Sequence, residues 1–263
     1  MAHQDYVFDN SAAGERARID ALEAFLDPGT TRLLDAIGVE EGWHCLEIGA
    51  GGGSIASWLA DRVGGGGKVV ATDLQTRLLE SLNTHSNMDV RRHNVVEDAL
   101  PDHAFDLIHA RLVLEHIPQR DAVLPKLVRA LKPGGWLMVE SVDYASAIPV
   151  SELGAQEHAH SQHVRMRQFE AAGNRLDYGR HLPRLMREGG LDCVASEGRV
   201  FVMEGGSPGA HWFRLSMAHL RPRLTGPGKL SDAQIDRMLE LFADPAWAAL
   251  SPIIFACWGR RSM

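Results

Sequence analysis

The residues best suited to chemistry lie in one stretch, Leu46-Glu47-Ile48-Gly49-Ala50-Gly51-Gly52-Gly53-Ser54. Glycines at 49, 51 and 53 let the backbone turn sharply and approach a ligand more closely than a Cβ would allow, beneath the amide donors that open the next helix. A glycine-rich turn is a weak signal by itself. Glu47, just before the first glycine, sharpens it: a carboxylate there repels a pyrophosphate but suits a ligand with an ammonium group and no phosphate. In the dinucleotide fingerprint the third glycine or alanine would stand at position 54, which is Ser54. A second acid, Asp73, ends Val69-Val70-Ala71-Thr72-Asp73 and can accept hydrogen bonds from both hydroxyls of a ribose; Leu74 follows it. His93-Asn94-Val95 offers a polar side chain and a backbone amide able to read an adenine edge. Phe105-Asp106-Leu107-Ile108-His109-Ala110-Arg111 carries Ala110 and Arg111 to another strand end, where Arg111 pairs either a ligand carboxylate or a surface acid. Pro133-Gly134-Gly135 reads as a helix-to-strand turn.

These positions make sense only at the ends of strands joined by crossover helices. The strands predicted from apolar, β-branched runs are 44–48, 68–72, 89–93, 105–110 and 136–141, with helices near 54–63, 75–83 and 121–131 between them. That alternation demands right-handed crossovers and a parallel sheet, hence a Rossmann-like, doubly wound α/β fold. Two N-terminal helices, 15–26 and 30–37, are expected on either side of an Asp27-Pro28-Gly29 turn, with Gly38 as C-terminal cap. After Ser141 the pattern gives a long polar helix (151–175), a short one (182–188), a hairpin (193–203), helices at 210–220 and 231–242, and a last strand (253–258). The expectation is a single domain over 1–263, with a seven-stranded sheet. It comprises an N-terminal helical lid (1–38), a cofactor-binding core (39–145) and a helical C-terminal insertion that roofs the active site before the last strands (146–263).

In order and spacing, the motifs over about residues 39–141 resemble the class I methyltransferases that use S-adenosyl-L-methionine. Within that class they are similar to the small-molecule group related to the ubiquinone and menaquinone methyltransferases. The resemblance implies that Glu47, Gly49, Gly51 and Gly53 hold the methionine part of the cofactor, that Asp73 binds its ribose, that Asn94 and Val95 contact adenine, and that Ala50, Leu74, Ala110 and Arg111 also belong to the cofactor site. Family members usually carry Asp where this chain has Asn94. Ala110 and Arg111, with the following Leu112-Val113-Leu114-Glu115-His116, fall where the family lines the methyl-transfer site. The amino-methylating branch is marked there by an Asn/Asp-Pro-Pro-aromatic motif, and this chain reads His109-Ala110-Arg111-Leu112 instead.

A hydroxyl or acidic-carbon acceptor must lose a proton, and histidine is the usual side chain for that near neutral pH. His116 is the first candidate, as base or as an orienting group; His181 and His211 are the next. Asp143 and Tyr144, past the fifth strand, either face the ligand crevice or close a loop. Trp212, Phe213 and Met217 stand at helical spacing and read as core or as a platform for an aromatic acceptor. Tyr6-Val7-Phe8 is placed in the lid by analogy alone.

Composition narrows the partners. The 263 residues are 45% hydrophobic and 23% charged, as in a soluble globular protein with one substantial core, and the formal net charge of -7 disfavours a nucleic-acid partner. No apolar run is long enough to span a membrane, so a cytoplasmic monomer or homodimer acting on a small molecule is expected. Cys45, Cys193 and Cys257 lack a paired spacing and read as buried reduced thiols. Among the thirteen histidines, His158, His160 and His163 share one helix, and His160 and His163 a face, which reads as solvated rather than metal-binding; no metal is expected. Two rivals stay open: a cofactor-binding methyltransferase fold that serves as a binding module or catalyses a rearrangement, and an NAD-dependent oxidoreductase.

Overall fold

The computed structural model describes residue 8 and residues 14–263. In chain order the elements begin with α1 (Glu15–Ile37), β1 (His44–Ile48), α2 (Ser54–Val63), β2 (Lys68–Asp73), a 3₁₀ stretch (Thr76–Thr84), β3 (Met88–Arg92) and β4 (Phe105–Arg111). A 3₁₀ turn (Leu114–His116), α3 (Arg120–Ala130), β5 (Leu131–Asp143), a 3₁₀ turn (Tyr144–Ser146), α4 (Ala155–Ala171), α5 (Tyr178–Glu188) and β6 (Leu191–Arg199) follow. The chain ends with β7 (Val202–Glu204), α6 (Pro208–Leu224), α7 (Asp232–Leu241), β8 (Ala248–Leu250) and β9 (Ile253–Arg261). The chain divides into two compact units.

The sheet unit comprises Leu26–Val142, Tyr178–Gly198 and Ile254–Met263. Its seven strands run in the order β3-β2-β1-β4-β5-β9-β6, and every pairing from β3 to β5 is parallel. This is the Rossmann-like α/β sheet expected of a class I methyltransferase. Alternation along the strands divides the side chains between two faces. Cys45, Val69, Ala71, Leu107 and Met138 pack under Leu33 and Leu34 of α1 and Ile55, Ala56 and Leu59 of α2. Leu46, Val70, Ile108, Leu137 and Val139 pack under Leu124 and Leu127 of α3 and Tyr178, Leu182 and Met186 of α5. Because both faces are covered, the central strands read as continuous apolar runs, and a charged residue in one of them needs a partner.

The helical unit comprises Asp143–Asp177, Arg199–Ile253 and the described part of Met1–Phe25. Here α4 packs against α6 and α7, and β7 pairs antiparallel with β8, Met203 opposite Ala249. Ser231 caps α7 in a reciprocal capping box with Gln234. Phe213, Phe242 and Trp247 are buried and stack edge-on or tilted.

Several local expectations are corrected. The Asp27-Pro28-Gly29 turn does not form: α1 runs unbroken from Glu15 to Ile37 with Pro28 inside it. Pro28 removes one helical hydrogen bond, but Asp27 pairs with Arg111 and Ser54, which secures the helix through that point. The stretch expected as a helix at 75–83 is 3₁₀, and its buried Leu79 and Leu82 stand three residues apart, the 3₁₀ repeat. The long polar helix is shorter, starting after Gly154 at φ 69. No hairpin joins 193–203, since β6 lies beside β9 in the large sheet while β7 belongs to the two-stranded one. Cys193 is exposed, with φ 51, whereas Cys45 and Cys257 are buried. Burial raises the Cys257 thiol to about 12 and raises Cys45 as well, so both stay protonated. Among the described residues no helix is long and apolar enough to cross a membrane.

Candidate active site

The turn between β1 and α2 is built from glycines that need to be glycine. Gly49, Gly51 and Gly53 have φ of 66, 60 and 92, in the left-handed region. A Cβ on Gly49 would lie 2.3 Å from Val113 Cγ2, so the turn and the segment after β4 touch where a side chain would separate them. That segment bends at Leu112, whose φ of 55 is rare outside glycine and whose N–H donates to the Glu140 carbonyl at 2.9 Å. Gly53 precedes α2, and no side chain caps the helix there. Ala50 N–H donates to the Thr72 carbonyl at 2.9 Å, tying the loop to β2.

Asp73 ends β2 half-buried. Its carboxylate accepts from Gly51 N–H at 3.1 Å and from Gln75 N–H at 3.0 Å, which couples the acid to the glycine loop. Leu74, the next residue, is 51% exposed, an apolar side chain presented to solvent at a strand end. Past β3, Asn94 is half-buried and its Oδ1 accepts from Val96 N–H at 3.0 Å, while Asp98 accepts from Asn94 N–H at 2.7 Å. Val95 is buried, and its carbonyl accepts from Lys126 Nζ at 2.9 Å.

At the carboxyl ends of β1, β4 and β5 the sheet holds a buried polar chain. Glu47 and His109 are register partners, as are Arg111 and Glu140. The His109 Nδ1 to Glu47 Oε2 distance is 2.7 Å, and its Nε2 is 3.5 Å from Glu140 Oε2. Thr30 of α1 donates to Glu140 Oε2 at 2.5 Å and accepts from Arg111 Nη1 at 3.0 Å. Arg111 Nη2 is 2.8 Å from Asp27 Oδ1, which also accepts from Ser54 Oγ at 3.1 Å. Burial alone pushes the His109 imidazole down, but Glu47 and Glu140 outweigh it and lift the pKa to about 9, so the ring is an imidazolium at neutral pH. Glu47 is therefore an acid shared with a cation. Arg111 is held by Asp27, a partly exposed acid, and by Thr30 within the unit.

His116 ends the turn after β4, half-buried and engaged with its surroundings. Beside it Glu115 is 2% exposed, and burial pushes its carboxyl up to about 7. His181 is half-buried on α5, which packs on the sheet face and does not belong to the helical unit. His211 is exposed on α6 in the helical unit. The three candidate histidines thus sit on three separate elements. Asp143 accepts from Ala145 N–H at 2.9 Å and so caps the Tyr144–Ser146 turn. Trp212, Phe213 and Met217 are all buried. His160 and His163 are exposed, and no cluster of three metal-ligating residues occurs among the described residues. Tyr6 and Val7 lie outside the described residues; Phe8 packs on Arg18, whose Cζ is 4.0 Å from its ring centroid.

Sequence reasoning missed Asp27, Thr30, His109, Glu115 and Glu140. A detectable signal existed for His109 and Glu140: a charged residue inside an otherwise apolar central strand. Asp27 is hidden in a segment that reads as a turn, and Thr30 at the start of the expected second helix.

Residues 46–139 match the family described as Methyltransferase domain. The chain is 29% identical over 135 residues to the ubiquinone/menaquinone biosynthesis C-methyltransferase UbiE of Pseudoalteromonas translucida, which covers 47% of this chain and 54% of that protein. It is 36% identical over 134 residues to methyltransferase str3 of Strobilurus tenacellus, covering 51% of this chain and 47% of that one. The chain thus spans about half the length of these two curated relatives. A phosphoethanolamine N-methyltransferase 2 of Haemonchus contortus, solved with S-adenosyl-L-methionine, superposes with a TM-score of 0.60 at 17% identity, over 100% of this chain and 60% of that one. Residues 46–139 thus match a methyltransferase domain, and the chain is distantly homologous to UbiE and to small-molecule methyltransferases.

Proposed function

We propose that this chain transfers the methyl group of S-adenosyl-L-methionine to a hydroxyl oxygen or acidic carbon of an aromatic or hydrophobic small molecule. The observation that carries the reading is the coupling of the left-handed glycine turn to acids on both sides, Glu47 before it and Asp73 hydrogen-bonded to Gly51. The residues fit the cofactor. Glu47, with Gly49, Ala50, Gly51 and Gly53, would hold its methionine end; Asp73 and Leu74 its ribose and the edge of its ring; Asn94 and Val95 its adenine. The Asn94 side chain already serves its own turn, so adenine recognition falls chiefly to backbone groups. Ala110 and Arg111 would line the approach, with Arg111 acting through Asp27 and Thr30.

The bound sulfonium supplies the methyl electrophile, so the chain's task is to align the acceptor, exclude water and accept a proton where one must leave. His116 is assigned the proton-accepting or orienting role. His181 on the sheet face and exposed His211 stand behind it. The names of the UbiE relatives, which specify carbon methylation, support a carbon acceptor. The test is incubation with methyl-deuterated S-adenosylmethionine and small-molecule extracts, read by mass spectrometry. Label in a metabolite together with S-adenosylhomocysteine supports the reading. Bound cofactor without any labelled product favours a binding module or a rearrangement catalyst.

A further inference from the structure

Arg165 is 4% exposed, in the helical unit, and no carboxylate among the described residues pairs it. A buried guanidinium without a counter-ion is costly, and the same unit shows the usual remedy. Arg18, equally buried at 3%, is clasped by both oxygens of Glu15 at 2.8 and 2.6 Å. Arg165 has only the side-chain carbonyl of Gln162, and its Nε finds no partner.

Its surroundings are aromatic and rich in donors. The guanidinium carbon lies 4.8 Å from the Phe213 ring centroid and 5.9 Å from that of Tyr144. On α4, Gln162 and Arg165 are three residues apart and share a face, and Gln162 Nε2 is also unpaired. On α6, which packs against α4, Trp212 Nε1 and Ser216 Oγ are buried without a hydrogen bond. Four side chains on two packed helices therefore hold unsatisfied donor groups, one of them a full cation. His158, on the same helix, adds no anion. Burial and the Arg165 charge push its pKa down to about 4, so it is neutral.

From this we infer that Arg165 is the recognition residue of an anion site within the helical unit, for a small molecule that carries an oxyanion, a carboxylate or an ionised hydroxyl, on a flat unsaturated body. The guanidinium fork matches a carboxylate, and the Phe213 and Tyr144 rings suit a planar body beside it. The inference stands on the helical unit alone and goes beyond the methyl-transfer reading.

The experiment is calorimetric titration of the full chain with cinnamate, 4-nitrophenolate and the neutral cinnamamide, for wild type, Arg165→Met and Arg165→Lys. At least one of the two anions should bind about tenfold or more tightly than cinnamamide. Arg165→Met should abolish that preference, and Arg165→Lys should keep part of it. Because the substitution removes an unpaired buried charge, Arg165→Met should melt at or above the wild-type temperature without ligand. Equal binding of anions and amide, no binding of either anion, a preference that survives Arg165→Met, or a markedly lower melting temperature in that variant would each overturn the inference. Titration with S-adenosylhomocysteine on the same samples separates the two readings. Normal cofactor binding without anion preference defeats only the anion site, while a wild type that binds no cofactor defeats the methyl-transfer reading itself.

Discussion

His109→Gln should flatten the pH dependence of stability in one defined window. In the folded chain the His109 imidazole is raised from 6.5 to about 9 against the pull of burial, because Glu47 and Glu140 hold its proton. The folded state therefore binds this proton more tightly than the unfolded one. The stabilisation is fully present below pH 6.5 and is lost as pH rises through about 9. A difference of 2.5 units, 9 less 6.5, corresponds to roughly 3 kcal/mol, falling by about 1.4 kcal/mol per pH unit inside the window. Glutamine fills similar space without titrating. Glu115, raised to about 7, titrates in both proteins and cancels in the difference. Urea unfolding followed by circular dichroism, at several pH values from about 6 to about 9.5, should show wild type losing about 3 kcal/mol relative to the variant. Parallel stability curves, or an imidazole resonance titrating near its ordinary value, would refute the clamped imidazolium.

The remaining expectations are more local. Asp73→Ala should weaken S-adenosylmethionine binding by about 2 to 4 kcal/mol through two lost charge-assisted hydrogen bonds, and should loosen the glycine turn that Asp73 now holds at Gly51. Calorimetry showing unchanged affinity in a folded variant would remove Asp73 from the site. Gly49→Ala should cost about 2 to 4 kcal/mol, from the left-handed φ and a clash with Val113 together. Adding Val113→Ala should recover the steric part alone, and strict additivity in thermal melts would contradict the contact. If His116 is the base, His116→Ala should lower turnover about a hundredfold with cofactor affinity nearly unchanged. Falling affinity would instead mark an orienting role, and wild-type values for both would shift the search to His181, His211 and Glu115.

The parallel core was legible because short apolar runs alternated with amphipathic ones, so β1, α2 and β4 appear almost where periodicity placed them. The glycine turn was legible for the same local reason: its φ angles are a property of residue type. What escaped depends on partners distant in sequence. Pro28 reads as a break until Asp27 meets Arg111 and Ser54. Val202–Glu204 reads as half of a hairpin until Ala248–Leu250 is seen to be its partner. Glu47 reads as a lone anion until His109 appears opposite it in register. Arg165 looks like an ordinary residue on a polar helix; only packing shows that it is buried without an acid.

The central claim is that the turn between Glu47 and Ser54, together with Asp73, forms an S-adenosylmethionine site. Parallel calorimetric titrations of the wild-type chain with S-adenosylhomocysteine and with NADH test it most directly. Saturable binding of S-adenosylhomocysteine and no heat from NADH are predicted, since the Glu47 carboxylate just before the glycine turn disfavours a pyrophosphate and Ser54 stands where the dinucleotide fingerprint has glycine or alanine. Binding of NADH in preference to S-adenosylhomocysteine, or of neither, would contradict the account.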